Sequence, residues 1–466
     1  KGYITTRVVL PQQDFLSGEI KVIVVESYLE NIVVRGGSEG TREYIKFMTN
    51  KVLEDNKKNG IFKFEDLERQ LLLIKKNNIG QLTSTLSKGS KLGTSLLTIV
   101  IDPSPTEISA FSNTDISENL GDVVVGLKSS YTTKSKYPLK IGLSSKYAPP
   151  SALPQENYLS SGVAYLEKPI GQKGLSLNTI YAFSSTQTKD LFPLTSGKSQ
   201  NKGYSEYFSF GASYPFILKR NTELGLDIST SIQDSKQDLF QDNVFSNNVS
   251  TDRIRTLRVG LNARKSLKNS YNTARLVYSQ GYDGFDNSYK SDEVKSNLEA
   301  TSNFSSYKLD LTRQQSLGRR GLSLILNSSG QIATEPLPTP EKFSFGGSQF
   351  GRGFKNSHIF GDAGWAASLQ LNQNVYNKNG KTLSPFVWFD YGEVDDLTGE
   401  SREKSAATYG IGVTGNLSDS TTYKLSIAVP SEDDSNPSLL GDFVALDNST
   451  TTGNDTRVII NRLFEK

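Results

Sequence analysis

The sequence predicts an all-β transmembrane antiparallel β-barrel of about 16 strands, preceded by a smaller α+β region. Three observations predict it. After Thr106, apolar and small polar residues alternate in short segments and no helical period appears. The connections between these segments are lopsided, some tight and others long and polar. Before Thr106, strand and helix periods are mixed.

The N-terminal region opens in mid-pattern with Lys1-Gly2-Tyr3 and shows no signal peptide, which reads as a mature or trimmed start. Ile20, Val22 and Val24 alternate with Lys21 and Ile23 ahead of Glu26, the pattern of a strand. Ile32, Val33 and Val34 form another, closed by Gly36-Gly37. From Thr41 to Leu53 the period changes, and Ile45, Met48 and Val52 fall on one helical face. Leu67, Leu71 and Ile74 form the stripe of a second helix. Its last turn carries Lys75 and Lys76, where cations complement the helix dipole. Short strands near Ile79–Leu86 and Leu92–Ile101 follow, and Pro103-Ser104-Pro105 ends the region. From Leu29 the order is strand, helix, helix, strand, strand, a unit of roughly 75 residues that can fold alone.

In the remainder, Leu224, Leu226, Ile228, Thr230 and Ile232 alternate with Glu223, Gly225, Asp227, Ser229 and Ser231. Phe208, Phe210, Ala212 and Tyr214 repeat the pattern, as do Tyr423, Leu425, Ile427 and Val429. In a strand the two sets point to opposite faces. Leu224, Leu226 and Ile228 are therefore expected towards lipid, with Glu223 and Asp227 towards a lumen. A soluble β-sandwich gives the same alternation, and two features favour the barrel. Ile170–Gly174 is a tight connection, whereas Gln233–Asp252 and Ser431–Asp455 read as long polar loops. The polar face is also rich in Gly, Ser and Lys, which suits a wet lumen. About 17 candidate strands follow Thr106, but a barrel with both ends on one side needs an even number. The weakest are Ser296–Ser302 and Lys308–Thr312.

Composition narrows the function. The 466 residues carry 52 Lys and Arg against 49 Asp and Glu, a net charge of +3 that gives no pull towards nucleic acid. Cys is absent, which excludes disulfides, zinc–thiolate sites and cysteine nucleophiles. A single histidine, His358, leaves no material for a Ser-His-Asp triad or a multi-histidine metal site. No run of 18 apolar residues exists, so no helix is expected to span a membrane; strands escape that test. Asp395-Asp396 and Glu432-Asp433-Asp434 lack the spaced ligands of a calcium loop. Gly36-Gly37 and Gly346-Gly347 lack the Lys-Ser/Thr of a phosphate cradle. No catalytic cluster, cofactor or metal site is expected, and the chain does not read as an enzyme.

The segment FSFGGSQFGRGFKNSHIFGDAGWAASLQL, Phe343 to Leu371, resembles a signature of the hemolysin-activator type of two-partner secretion transporters, within the outer-membrane assembly superfamily. The Arg-Gly-aromatic tip is here Arg352-Gly353-Phe354, and the Phe-x-Asp-x-Gly motif is matched around Trp388, Phe389, Asp390, Tyr391 and Gly392. GYITTRVVLPQQDFLSGEIKVIVVE is similar to the end of the first polypeptide-transport-associated (POTRA) domain of these transporters. LERQLLLIKKN and LSKGSKLGTSLLTIVIDPSP are similar to parts of the second. The chain departs from the family at Trp388, which replaces Phe, at Gln370, where Glu is common, and at its Leu463-Phe464-Glu465-Lys466 end.

The resemblance implies a division into residues 1–28, the C-terminal part of a first POTRA domain, residues 29–105, a second POTRA domain of ShlB type, and residues 106–466, the barrel. It also implies a lumen-inserted loop at about 331–363. The implied function is an outer-membrane translocator that recognises an unfolded secreted exoprotein in the periplasm and passes it to the cell surface, driven by folding of that client outside. The implied partners are the exoprotein and outer-membrane lipid, with no nucleic acid, and the expected state is a monomer. Gln12, Gln13 and Asp14 fall in a POTRA loop, and the edge of such a domain can take an extended peptide as an added strand. Rival readings are a barrel-assembly insertase of the same superfamily and a passive porin. The porin would need neither the α+β region nor the Arg352 loop.

The expected site is Arg352, Gly353 and Phe354 on the loop, with Trp388, Asp390 and Gly392 on the wall. Phe386, Trp388, Asp390 and Gly392 share one strand face, and Val387, Phe389 and Tyr391 the other. A lumen-facing Asp390 needs a cation, and arginine offers a planar two-bond fork. The bland alternative is a surface Gly-Arg-Gly turn and a solvated Asp. His358 reads as an ordinary loop residue.

Overall fold

The computed structural model describes residues 6–465 except 14–17, 27, 60–61, 92, 105, 115, 117–119, 122, 150–156, 189–198, 242–243, 287–292, 319–320, 399–403 and 433–456. At the N-terminus, β1 (Arg7–Val9) pairs antiparallel with β2 (Ile23–Val25). The Gln13 amide closes this hairpin reciprocally: its Nε2 donates to the Lys21 carbonyl at 3.0 Å, and its Oε1 accepts from the Lys21 amide at 2.6 Å. Asp14 lies outside the described residues.

A compact α/β unit follows. It comprises β3 (Tyr28–Gly36), α1 (Glu39–Asn59), α2 (Phe64–Lys76), β4 (Gln81–Lys88) and β5 (Thr94–Asp102). β5 is central, parallel to β3 and antiparallel to β4. A sheet that covers one face with helices buries alternate residues, and here Leu97, Ile99 and Ile101 of β5 are buried. They belong to one core with Ile45, Met48 and Val52 of α1 and Leu67 and Ile74 of α2. Burial pushes the Tyr44 hydroxyl above the ordinary phenol range, and it stays protonated as the acceptor for Asn77 Nδ2.

The barrel strands are β6 (Thr106–Asn113), β7 (Val124–Thr132), β8 (Lys140–Ala148), β9 (Tyr158–Ile170), β10 (Leu175–Gln187), β11 (Ser199–Lys219), β12 (Thr222–Gln241) and β13 (Val244–Ser266). Then come β14 (Ser270–Gly281), β15 (Ser305–Ser316), β16 (Leu322–Ala333) and, inside the loop that follows, the short strands β17 (Phe343–Phe345) and β18 (Ile359–Gly361). The wall continues with β19 (Ala363–Gln373), a three-residue β20 (Tyr376–Lys378), β21 (Lys381–Asp395), β22 (Lys404–Ser418), β23 (Thr421–Glu432) and β24 (Arg457–Glu465). Sixteen of these strands close on themselves antiparallel, with β24 returning to β6 through pairs from Asn461↔Asn113 to Glu465↔Ser109. β20 extends the ladder of β21 at one end. An even count leaves both ends of the barrel chain on one side.

The faces sort as a membrane requires. Leu257, Leu261, Leu276, Leu309 and Trp365 are exposed on the outside. On the inner side of β12–β14, Asp227 meets Arg275 at 3.3 Å, and Glu223 meets Arg264 at 3.1 Å and Lys76 of α2. Leu224, Leu226 and Ile228 take the opposite parity, and Ile228 is exposed.

One loop expectation fails for a physical reason. Gln233–Asp252 is not a loop, because β12 runs to Gln241 and β13 starts at Val244. Ladder pairing needs only backbone groups, so strands continue beyond the apolar band, where hydropathy no longer marks them. Ser296–Ser302 is a turn segment and no strand, whereas Lys308–Thr312 lies within β15. Most of Ser431–Asp455 lies outside the described residues.

The α/β unit docks on the short-turn end. Arg69 Nη2 donates to the carbonyls of Pro215 at 2.7 Å and Lys173 at 3.1 Å, and Gln70 Nε2 donates to that of Gln172 at 3.2 Å. Thr132 Oγ1 of β7 donates to the Asn77 carbonyl at 3.1 Å.

A charge on the outer face tests the sidedness. Leu276 is paired with Leu261 and Leu309 in the middle of the apolar band. Leu276→Arg should cost about 2–4 kcal/mol at the bilayer midplane, read by urea unfolding in vesicles. A value near zero would mean that this face does not meet lipid.

Candidate functional site

Between β16 and β19 the chain turns back into the barrel. β17 and β18 pair as a small hairpin, Phe343↔Gly361 to Phe345↔Ile359, against the inner wall. The tip that it presents, Gly351 to Phe354, lies on four adjacent strands. Ser368, Asp390, Thr408 and Pro430 are direct cross-strand neighbours in the ladders β19–β21, β21–β22 and β22–β23. Strand parity puts this row on the lumen side, because the alternate residues Val387 and Phe389 are exposed outside.

Arg352 is the centre. Its Nε donates to Asp390 Oδ2 at 3.0 Å and its Nη2 to Oδ1 at 2.7 Å, the two-bond fork of a guanidinium on a carboxylate. Asp390 Oδ2 also accepts from the backbone amides of Gly351 at 3.1 Å and Arg352 at 3.2 Å. Two of the three remaining guanidinium donors reach Gln370 Oε1 at 2.8 Å and Ser368 Oγ at 3.0 Å. The guanidinium carbon lies 3.9 Å from the centre of the Trp388 ring. The pair is almost dry: the Arg352 side chain is 5% exposed and that of Asp390 0%. A buried pair is tolerable only when its other donors and lone pairs are largely satisfied, and here every nitrogen of the guanidinium and both carboxylate oxygens have a partner.

The glycines permit this approach. Gly351 has φ +75°, a region that side chains disfavour. A Cβ at Gly353 would run into Thr408 Oγ1, which accepts the Gly353 amide at 3.1 Å and itself donates to the Val429 carbonyl at 2.9 Å. A Cβ at Gly392 would overlap the ring of Phe345, which is fully buried. Phe345 and Phe354 lie 6.1 Å apart, and the His358 ring stacks on Phe354 at 4.3 Å. His358 is thus a packing residue of the loop.

All six residues singled out in the sequence meet here. Sequence reasoning did not assign Ser368 and Thr408, and it read Gln370 only as a departure. Their sole signal is an inward parity shared with many small polar residues. Asp362 was likewise read only as part of a motif. It is fully buried, and it accepts the amides of Leu337 at 2.8 Å and Leu397 at 3.0 Å.

Gly392→Ala should push the Phe345 ring off the wall at a cost of about 1–3 kcal/mol, as overpacking does. Faster tryptic cleavage at Lys355 in the folded barrel is the expected readout. An unchanged rate would mean that the ring has room to shift.

No curated protein matches the chain. The fold is similar to that of CdiB from Escherichia coli, with TM-score 0.78 at 17% identity over 100% of this chain and 81% of that one. CdiB from Acinetobacter baumannii is similar at TM-score 0.72 and 15% identity, over 100% of this chain and 79% of that one. BamA from Haemophilus ducreyi lacking POTRA domains 1–3 reaches TM-score 0.55 at 12% identity, over 100% and 90%. A model of the ShlB-type POTRA domain matches residues 1–27. A model of the haemolysin secretion/activation proteins ShlB/FhaC/HecB matches residues 139–415, more than half of the chain. The chain therefore belongs to the ShlB/FhaC/HecB family of outer-membrane secretion transporters.

Proposed function

We propose that this transporter takes an unfolded exoprotein from the periplasm and passes it through the barrel lumen, with the loop at about 331–363 acting as a gate. The observation that carries the reading is the docked tip, Arg352 on Asp390 inside the barrel. Replacing a buried ion pair with apolar packing is often neutral or stabilising, so a plug meant to stay put has no need of one. A charged tip on a row of polar side chains has groups that water can satisfy once the tip leaves. A barrel of this size is wide enough to leave an aqueous channel when its lumen is clear.

On this reading, residues 1–28 end a first POTRA domain, and residues 29–105 form a second that receives the client at the short-turn end. Arg69 and Gln70 hold that unit on the turns beside the lumen mouth. Outer-membrane lipid covers the apolar band. On the same reading the protein is a monomer, and the closed wall leaves no free strand edge that a second copy could extend.

Two outcomes follow. Arg352→Ala leaves a buried carboxylate without its cation, at a cost on the order of 3–5 kcal/mol for a dry site and less where water enters. Client export should fall while the barrel still inserts. Arg352→Lys should rescue it only in part, for lack of the fork. The swap of Arg352→Asp with Asp390→Arg should recover more than either change alone. Normal export by Arg352→Ala would remove the pair from the mechanism. Separately, conductance in planar bilayers should be small and fluctuating, and deletion of residues 345–360 should raise it. A deletion that leaves conductance unchanged would mean that the loop does not gate the lumen.

A further inference from the structure

The loop is also tied to the wall five strands round the barrel from Asp390, on β13. Arg258 lies on the inner face of that strand. Its Nη2 donates to Glu341 Oε1, and its Nη1 donates to Ser231 Oγ of β12 at 2.7 Å. Glu341 ends a 3-10 turn, Thr339–Glu341, at the head of the loop's incoming limb. Its backbone carbonyl accepts Gln331 Nε2 of β16 at 2.9 Å. The next residue, Lys342, reaches Asp396 beyond the end of β21 at 2.5 Å and Asp362 on the outgoing limb at 3.5 Å. The base of the loop is therefore fixed by charges independently of the tip.

We infer that Glu341 and Arg258 form a second latch, which positions the incoming limb and releases before the tip does. This inference rests on the reading of the loop as a gate. The two latches differ in water access and in the number of bonds. At the tip, Arg352 and Asp390 are 5% and 0% exposed, and the carboxylate takes two guanidinium and two backbone donors. At the base, Arg258 and Glu341 are 22% and 10% exposed. A wetter ion pair is worth less and is screened more by salt. The order of release follows: the Glu341 turn swings away from β13 while Lys342 and the Arg352 tip still hold the loop on the β21 side. That arrangement clears part of the lumen and gives a conductance level between closed and fully open. Glu341 and Arg258 are thus positioning residues of the gate.

The test uses the full chain in planar bilayers, with heat-modified gel mobility to verify folding. Glu341→Gln keeps the shape of the side chain and removes its charge. It should raise occupancy of the intermediate level about fivefold without raising the fully open level. Arg258→Gln should do the same, and Arg258→Glu with Glu341→Arg should return occupancy towards the wild type. Glu341→Gln combined with Arg352→Ala should reach the conductance of the 345–360 deletion. A titration with KCl needs no substitution: it should populate the intermediate level of the wild type and change Glu341→Gln little. If Glu341→Gln and added salt leave the levels as they are while the deletion opens the channel, the second latch is overturned and the gate stands. If the deletion itself changes nothing, the gate reading falls and the latch with it.

Discussion

A backbone N–H or C=O left bare in hydrocarbon costs several kcal/mol, and the architecture of this chain follows from that cost. Only a sheet with no free edge satisfies every wall strand, and the return of β24 to β6 provides it. Closure fixes the chemistry of the two faces. Residues of one parity meet lipid and must be apolar; those of the other face a lumen that accepts Glu223, Asp227 and Arg258. The inside is therefore the place where charge can be used, and the loop between β16 and β19 uses it.

The docking row depends on register. Ser368, Asp390, Thr408 and Pro430 line up only because the ladders β19–β21, β21–β22 and β22–β23 are in step. A slip of one residue would turn Asp390 to the lipid and bring Phe389 or Tyr391 inside. The same parity places Trp388 under the Arg352 guanidinium and Gly392 under Phe345. The tip is thus recognised by charge, by ring face and by the absence of a side chain, all from one strand. The neighbouring strands supply Ser368, Gln370 and Thr408, which satisfy the polar groups that the ion pair alone would leave buried.

The two ends of the barrel are specialised by connection length. Turns such as residues 171–174 are short, and they offer backbone carbonyls near the wall, which Arg69 and Gln70 of α2 take up. The other end carries the long connections, including the one that folds back as the loop. Lys76 joins Glu223, so the α/β unit and the lumen wall share an ion pair. That pair ties the end of α2 to the first residues of β12.

The sequence by itself determined the two-faced strands after Thr106 and the helices and strands of the N-terminal unit, while the closed barrel was favoured by loop lengths and the residues of the tip were legible through the family resemblance. Apolar alternation reports which face meets lipid, and the stripe Ile45, Met48 and Val52 reports a buried helical face, each through a local period. Arg352 and Asp390 were legible as partners only through the family resemblance, because flanking glycines and inward strand parity by themselves fit a surface turn and a solvated Asp equally well. Strand length was not legible for β12 and β13, because polar extensions pair through backbone groups that have no side-chain signature. Nor were Thr408, Ser368, Glu341 and Arg258. Each is an ordinary polar residue in its own segment and gains a role only from a neighbour brought near by closure. Glu341 and Arg258 are 83 residues apart in the chain, and only the curvature of the closed wall puts a loop carboxylate against that guanidinium.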